Sequence, residues 1–249
     1  MLVGPLIGGL LFKRFGPDGA YIAIALLYLL SGLFALGIKS TGTVAQRKQE
    51  SVAHTVFQGL RYVKSQQVIW GTLVLALIIE SSGTTFHTTL MPIFARNELG
   101  ADSAGLGWLL FAFGAGAVTA SLGWAMVRNL RHVGKLMIGA VIFWHLTILV
   151  FSTSQSFYLS MAVLTLTGAG FASTQVFLLA ALLRNAEAEY RGRVMSLRSL
   201  AIYAFALGSL SSGFMAGLWS APRAAQIVGI MGIALVLILA VLAPKLRRF

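Results

Sequence analysis

The chain has 249 residues, of which 57% are hydrophobic and only 10% are charged, and its mean hydropathy is +0.84. Since soluble domains carry about 25% charged residues, this composition excludes an ordinary soluble protein and indicates one embedded in a lipid bilayer. The absence of cysteine excludes disulfides, thiolate metal sites and cysteine nucleophiles, and the net charge of +12 is spread over short polar gaps, which favours membrane orientation over nucleic-acid binding.

Eight apolar runs follow one another along the chain, separated by polar gaps. About 20 apolar residues cross the hydrocarbon core of a bilayer as a helix, and six of the eight runs reach about that length. We therefore predict an all-α polytopic membrane protein with about eight transmembrane helices. The runs are residues 2–12, 20–38, 68–95, 105–127, 136–151, 157–183, 200–218 and 224–243.

Lysine and arginine concentrate in every second gap between these runs. The gaps after the second, fourth, sixth and eighth runs hold 15 of the 19 basic residues. Successive gaps lie on alternate sides of a membrane, and the side rich in Lys and Arg is normally cytoplasmic. The pattern predicts a multi-pass protein with both termini in the cytoplasm and the lipid bilayer as its surroundings.

The longest polar gap, residues 39–67, follows the second run. It contains a basic amphipathic stretch whose apolar residues recur at helical spacing. We predict a cytoplasmic linker with a helix lying on the membrane surface; an ordinary solvated connector is the alternative. The apolar residues of this stretch are Val52, Val56, Phe57, Leu60 and Val63.

A polar island, residues 80–89, interrupts the third run. Glu80 and His87 are seven residues apart and share a helix face with Thr84. A carboxylate near the bilayer midplane costs about 2.5–3.5 kcal/mol unless it meets a partner or water. Glu80 is therefore the candidate that binds protons or a cationic substrate, and His87, whose imidazole titrates near neutral pH in water, is a candidate relay. A structural hydrogen bond to a neighbouring helix is the alternative role.

Two further polar residues lie inside apolar runs. His145 is in the middle of the fifth run and Gln175 is in the sixth. Both are candidates to line a cavity, with ordinary helix packing as the alternative. No phosphate-binding loop, zinc-protease motif or nucleophile elbow is present in the sequence, so we expect no cofactor, no metal and no enzymatic activity.

Three stretches carry a resemblance to a known family. Residues 4–9 read Gly-Pro-Leu-Ile-Gly-Gly, residues 191–197 read Arg-Gly-Arg-Val-Met-Ser-Leu, and residues 91–107 combine Met-Pro-Ile-Phe-Ala with Leu-Gly and Ala-Gly-Leu-Gly. They resemble, in that order, the end of the antiporter motif in the fifth helix, the approach to the eleventh helix, and the turn between the seventh and eighth helices of the major facilitator superfamily. The similarity is to its bacterial multidrug and siderophore exporter-like branch.

The resemblance implies a secondary active transporter of the bacterial inner membrane that exports a small organic molecule, a drug or a siderophore, in exchange for protons. It implies that residues 1–38 are the last two helices of an N-terminal half, residues 39–67 the linker, and residues 68–249 a C-terminal six-helix half. The first four helices of such a transporter would then lie outside this sequence. The small-molecule substrate, protons and a separate N-terminal half are the expected partners.

The resemblance also assigns roles to two sets of residues. The antiporter-like motif would seal one half of the transporter against the other, and the arginines before the eleventh helix would fix a cytoplasmic gate by bonding helix-end carbonyls or nearby glutamates. Close helix packing and membrane orientation are the respective alternatives. The motif residues are Gly4, Pro5, Gly8 and Gly9, and the arginines are Arg191 and Arg193.

One departure from the family pattern leaves a second function open. The gap at residues 127–135 lacks the acidic residue of the family's gate loop. A substrate site at the interface between two halves also needs both halves. The alternative prediction is a truncated, non-transporting membrane protein, or a partner subunit that requires a separate N-terminal half.

Overall fold

A computed structural model of the chain describes residues 3–37 and 52–249, with side chains from residue 58 onward in the second range. Helices account for nearly all of these residues, and seven helical stretches are long and apolar enough to cross a membrane. The all-α, polytopic membrane fold predicted from the sequence is therefore confirmed. The helices are α1 (Gly4–Leu36), α2 (Val52–Ser65), α3 (Gln67–Ile79), α4 (Met91–Asn97), α5 (Ser103–Ala125), α6 (Val133–Ser152), α7 (Phe157–Asn185), α8 (Arg191–Ala201), α9 (Ala204–Leu218), α10 (Ala221–Leu242) and a 3₁₀ turn (Pro244–Arg247).

The described residues contain seven candidate spans rather than about eight, and the difference arises in α1. The first two apolar runs both fall within this 33-residue helix, which is interrupted at Gly16. Gly16 has a φ of 67° and a ψ of −172°, a backbone conformation outside the helical region that glycine adopts without strain, and Pro17 follows it. The polar gap of residues 13–19 thus becomes a break between two helical segments.

The third candidate span, Gln67–Asn97, changes its helical pitch at the polar island. Two π-helical segments, Glu80–Thr84 and Phe86–Leu90, separate α3 from α4. Ser82 donates its hydroxyl hydrogen to the Ile78 carbonyl at 2.6 Å, and Thr88 donates to the Thr84 carbonyl at 2.9 Å. The π-helical segments thus coincide with hydroxyls that bond helix carbonyls and with a proline at the start of α4.

Glycines allow α5 and α7 to pack backbone against backbone. A Cβ atom on Gly116 would overlap the carbonyl oxygen of Thr165, and one on Gly168 would overlap the carbonyl oxygen of Phe113. Close approach through small residues is a common way for membrane helices to associate. This contact holds α7 in the centre of the bundle, where half of the span is buried against its neighbours.

The linker helix α2 and the C-terminal turn meet at one end of the bundle. The ring of Tyr62 stacks on Tyr190 at a centroid distance of 4.0 Å, and the Glu187 N–H donates to the Tyr62 hydroxyl. Gln67 accepts a hydrogen bond from the Lys245 N–H at 3.1 Å. We call this the linker end of the bundle.

The amphipathic linker helix is confirmed as a helix, Val52–Ser65. Val63 is buried and Leu60 is half exposed. Residues 38–51, and the side chains of Val52, Val56 and Phe57, lie outside the described residues. The location of α2 on a membrane surface stays a prediction.

Candidate functional site

Three helical elements converge on one buried ion pair. Glu80 opens the first π-helical segment, Arg198 lies on α8 and Gln175 lies on α7. The Arg198 Nη2 donates to Glu80 Oε1 at 2.9 Å and to Gln175 Oε1 at 3.2 Å. The Glu80 side chain is 6% exposed and that of Arg198 is 12% exposed. The polar island and two more distant helices therefore share a single polar cluster.

The ion pair explains how a carboxylate is accommodated in an apolar run. Taking a carboxylate out of water is costly unless an opposite charge and hydrogen bonds compensate it. Arg198 supplies the charge, while its other terminal nitrogen, Nη1, is buried and has no hydrogen-bond partner among the described residues. The guanidinium group is thus held by one nitrogen only.

Arg198 was missed by the sequence reasoning, which counted it with the orienting charges of its gap. A signal was present: Arg198 stands two residues before the seventh apolar run. The helix that contains it begins at Arg191, so its side chain lies inside the bundle rather than beyond its end. If the helix of the seventh apolar run is extended by one turn towards its N-terminus, it includes Arg198.

His87 lies in an aromatic cluster. Its ring stacks on Phe113 of α5 at 4.8 Å and meets the edge of Phe171 of α7 at 5.4 Å, with Trp144 at 6.5 Å. Thr84, between Glu80 and His87, keeps a buried hydroxyl without a hydrogen-bond partner among the described residues. His87 is therefore buried among rings of α5, α6 and α7.

His145 is packed behind Glu80. Its Nε2 is 2.9 Å from the Ser82 hydroxyl oxygen, and its Nδ1 is 2.8 Å from the Val141 carbonyl oxygen. The ring fills a notch at Gly232 of α10, where a Cβ atom would overlap it. Its contacts join α6 and α10 to the π-helical segment, two residues beyond the carboxylate.

Gln175 connects the polar cluster to a groove between α5 and α7. The groove has a volume of about 340 Å³. Its walls are mainly apolar and aromatic, with Ser121 and Gln175 as the polar side chains. The lining residues are Phe113, Gly114, Ala117, Val118, Ser121, Leu122, Phe171, Ala172, Gln175 and Val176.

The antiporter-like motif packs on the start of α5 through one of its glycines. A Cβ atom on Gly9 would overlap the carbonyl oxygen of Ser103, and one on Gly107 would come within 3.0 Å of the Pro5 carbonyl oxygen. Gly4 and Gly8, by contrast, face open space among the described residues. Of the four motif residues, Pro5 and Gly9 therefore make the close contact between α1 and α5.

An ion pair also joins α1 to the N-terminal end of α5. Lys13 Nζ lies 2.7 Å from Asp102 Oδ2, and Asp102 also caps α5 by accepting from the Gly105 N–H at 2.8 Å. The hydrogen bond from Lys13 lowers the pKa of Asp102 below its ordinary value, and the Gly105 N–H adds to this effect. Both groups are largely exposed.

The two predicted gate arginines lie at the linker end. Arg191 donates from Nε to the Ala186 carbonyl at the end of α7, at 3.3 Å. The guanidinium of Arg193 lies over the ring of Tyr190, 5.2 Å from its centroid, and a Cβ atom on Gly59 of α2 would lie 3.4 Å from the Arg193 Cβ. Arg191 thus bonds a helix-end carbonyl, while Arg193 lies on the face of α8 that is near α2, and their role as a gate stays a prediction.

Comparison with known families places this architecture. Residues 2–248 match the major facilitator family described as transmembrane secretion effector. A comparison with curated proteins finds no match. Because the family match covers nearly the whole chain, the protein belongs to the transmembrane secretion effector family of the major facilitator superfamily, a family of membrane transporters.

Proposed function

We propose that this protein is a proton-coupled exporter in which Glu80 carries the proton. The observation that carries the proposal is the Glu80–Arg198 ion pair, which links a buried carboxylate on a π-distorted helix to a second helix and to a groove. An ionisable group inside a membrane bundle, paired across helices, is a common mark of a proton or ion pathway. The exported molecule is small and organic.

The pair provides a simple exchange. Ionised Glu80 holds Arg198, and the two charges cancel. A proton on Glu80 removes the attraction between the two charges, so α8 and the π-helical segment lose the ionic bond that joins them. Because only one of the two states contains the bond, protonation shifts the balance between two arrangements of the helices. Alternating access requires a shift of this kind.

The orientation follows from the basic residues. We place the linker end in the cytoplasm of a bacterial cell, because the gaps rich in Lys and Arg meet there. Arg191 and Arg193 then lie at the cytoplasmic side, while Lys13 and Asp102 lie at the outer side with the antiporter-like motif. Protons would enter from the outer side as substrate leaves.

A second candidate function has its own support. None of the residues of α1 is buried, and α9 buries only Gly208 and Ser212. Apolar helices with so little cover are free to contact lipid or further helices. The chain is then the C-terminal part of a transporter, a six-helix half with two additional segments, and it requires a separate N-terminal half for transport.

The test compares Glu80→Gln with the unchanged protein in vesicles. Everted vesicles containing entrapped DNA report uptake of 4′,6-diamidino-2-phenylindole, a fluorescent organic cation, when a pH gradient is imposed. We expect uptake to require the gradient and to be lost in Glu80→Gln, while the amount of inserted protein is unchanged. Glu98→Gln, which alters an exposed acid at the end of α4, is the matched control and retains uptake.

Two results separate the candidates. Gradient-driven uptake that persists in Glu80→Gln contradicts a coupling role for this carboxyl. Absence of uptake from the chain alone, with uptake restored when a separate four-helix N-terminal segment is co-expressed, supports the half-transporter function.

A further inference from the structure

We propose that Arg198 occupies the position at which the cationic group of the substrate binds, which we call the seat. We also propose that the groove between α5 and α7 binds organic cations that carry N–H donors, such as amines, amidines or guanidines. The inference rests on the proposed function of Glu80 and names the class of substrate for that site. In the absence of substrate, the protein fills the seat with its own guanidinium group.

The seat is defined by two oxygen acceptors around one nitrogen. Glu80 Oε1 and Gln175 Oε1 lie 2.9 Å and 3.2 Å from the same nitrogen, the Nη2 of Arg198. A guanidinium Nη carries two N–H bonds, and here both are used, one for each oxygen. A ligand nitrogen that replaces it must therefore carry at least two N–H bonds to satisfy both acceptors. A quaternary ammonium group has none.

The groove supplies the place for the rest of the molecule. Gln175 belongs both to the polar cluster and to the wall of the groove, which is otherwise formed by Phe113, Phe171 and small or aliphatic residues. Apolar walls with few polar groups bind the body of a lipophilic ligand, and the polar groups fix its orientation. An aromatic body in the groove places its cationic end at Gln175.

Charge balance accounts for the exchange with protons. Glu80 is satisfied by Arg198, by the cationic group of a ligand, or by a proton, and each of these excludes the other two. Among the described residues, Arg198 is held through Nη2 only and its Nη1 has no partner, so leaving the seat costs the ion pair with Glu80 and the hydrogen bond to Gln175. Competition between proton and substrate for one carboxylate produces exchange in opposite directions.

Three biphenyl probes of equal size test the seat: biphenyl-4-carboxamidine, its trimethylammonium analogue and biphenyl-4-carboxylate. Binding to the purified full chain in lipid nanodiscs is measured by titration calorimetry. We expect the amidine to bind at least about tenfold more tightly than the quaternary cation, because only the amidine supplies N–H donors to both oxygens. The carboxylate should not bind.

Arg198→Gln gives the sharpest result. If Arg198 is an internal competitor, its removal frees the seat and strengthens amidine binding by about tenfold, since an apparent Kd is raised when few molecules have an open site. Gln175→Leu should weaken amidine binding and leave the quaternary cation unaffected. Arg131→Gln, which removes an exposed charge at the start of α6, is the matched control and changes neither.

Several outcomes overturn the inference. Weaker amidine binding in a folded Arg198→Gln protein, or Arg198-dependent binding of the carboxylate, makes Arg198 a ligand for anions instead. Equal affinity for the amidine and the quaternary cation in the unchanged protein removes the requirement for N–H donors, and this comparison needs no variant. No amidine binding by the unchanged protein and by Arg198→Gln also contradicts it.

The same experiments distinguish failure of the proposed substrate class from failure of the proposed proton coupling. If Arg198→Gln weakens amidine binding while gradient-driven uptake still requires Glu80, the coupling role stands and the substrate class is wrong. If Arg198→Gln strengthens binding but uptake ignores the pH gradient, the seat is correct and proton coupling fails.

Discussion

At the scale of single residues, the protein manages its buried charges by pairing them. Glu80 and Arg198 neutralise each other inside the bundle, so neither is left alone in an apolar environment. Lys13 and Asp102 form a second, exposed pair, which water and salt weaken. The first pair joins α8 to the first π-helical segment, and the second joins α1 to the N-cap of α5.

The Lys13–Asp102 pair predicts a pH-dependent stability. Its partners lower the pKa of Asp102, so the ionised form is favoured in the folded protein. The resulting stabilisation is complete above 3.8, the ordinary pKa of aspartic acid, and is lost as the pH falls through the lowered pKa of the folded state. When the pH is lowered below 3.8, we expect the melting temperature in nanodiscs to decrease for both proteins. The decrease should be smaller for Asp102→Asn than for the unchanged protein.

Asp102→Asn retains an oxygen that accepts from the Gly105 N–H, so the cap of α5 is kept while the charge is removed. Asp18→Asn, which alters another acidic residue outside this pair, is the control. Identical acid sensitivity of Asp102→Asn and the unchanged protein contradicts this prediction.

The site could be predicted in part from single residues. Glu80 stood out because an acid inside an apolar run demands a partner, but the partner, 118 residues later, is brought near only by the packing of α8 against α3. The sequence predicts Gln175 only as a polar residue that lines a cavity, with helix packing as the alternative, and in the structure it joins the cluster. Its acceptor role depends on a neighbour that spacing along the chain does not reveal.

At the scale of elements, glycines set how closely helices approach. Gly116 of α5 lies so close to the backbone of Thr165 that a Cβ atom there would overlap the Thr165 carbonyl oxygen. Gly168, on the facing helix, makes the reciprocal contact with Phe113. Gly139 of α6, by contrast, faces open space, and the sequence alone does not distinguish it from the two packed glycines.

Because Gly116 is packed and Gly139 faces open space, replacement of each glycine by alanine should have opposite effects on the free energy of unfolding. Gly116→Ala should lower the free energy of unfolding by about 1–3 kcal/mol, because the new methyl group meets a backbone carbonyl that cannot move without shifting α7. Gly139→Ala, in open space on α6, should raise it by about 0.5–1 kcal/mol through helix propensity. Unfolding by denaturing detergent measures both. Equal effects of the two substitutions contradict the packing account.

The π-helical segments could not be predicted from the sequence. Periodicity treats the third run as one regular helix, on which Glu80 and His87 share a face. The structure inserts two wider turns between α3 and α4. His87 is directed among aromatic rings, while Glu80 meets Arg198. Serine and threonine hydroxyls bond helix carbonyls in this stretch, but they do the same in the regular helices α5 and α7, so neither the hydroxyls nor the apolar pattern predicts the change of pitch.

At the scale of the whole molecule, the alternation of basic gaps along the sequence and the packing of the helices distinguish the same two ends of the bundle. The gaps rich in Lys and Arg, including the linker and the C-terminus, belong to the end where α2, α8 and the 3₁₀ turn meet. The first two apolar runs form two helical segments that meet at Gly16 within α1, so the polar gap of residues 13–19 does separate them as the sequence predicts.

This arrangement predicts the accessibility of single cysteines. The chain contains no cysteine, so one can be introduced without background. Gln155→Cys lies between α6 and α7 and should react with a membrane-impermeant maleimide on intact cells. Arg128→Cys lies between α5 and α6 and should react only after permeabilisation. The reverse pattern contradicts the orientation, and labelling of both on intact cells contradicts their location on opposite sides.

The central claim, that Glu80 takes up and releases a proton within the membrane, has one direct test. Glu80 is the only one of the seven acidic residues that lies inside an apolar run, so its carboxyl stretching band in an infrared spectrum is separable from the others. Difference spectra of the protein in nanodiscs should show a protonated carboxyl band that grows as the pH falls and is missing in Glu80→Gln. A band that persists in Glu80→Gln, or no band over the pH range in which uptake responds to the gradient, contradicts the account.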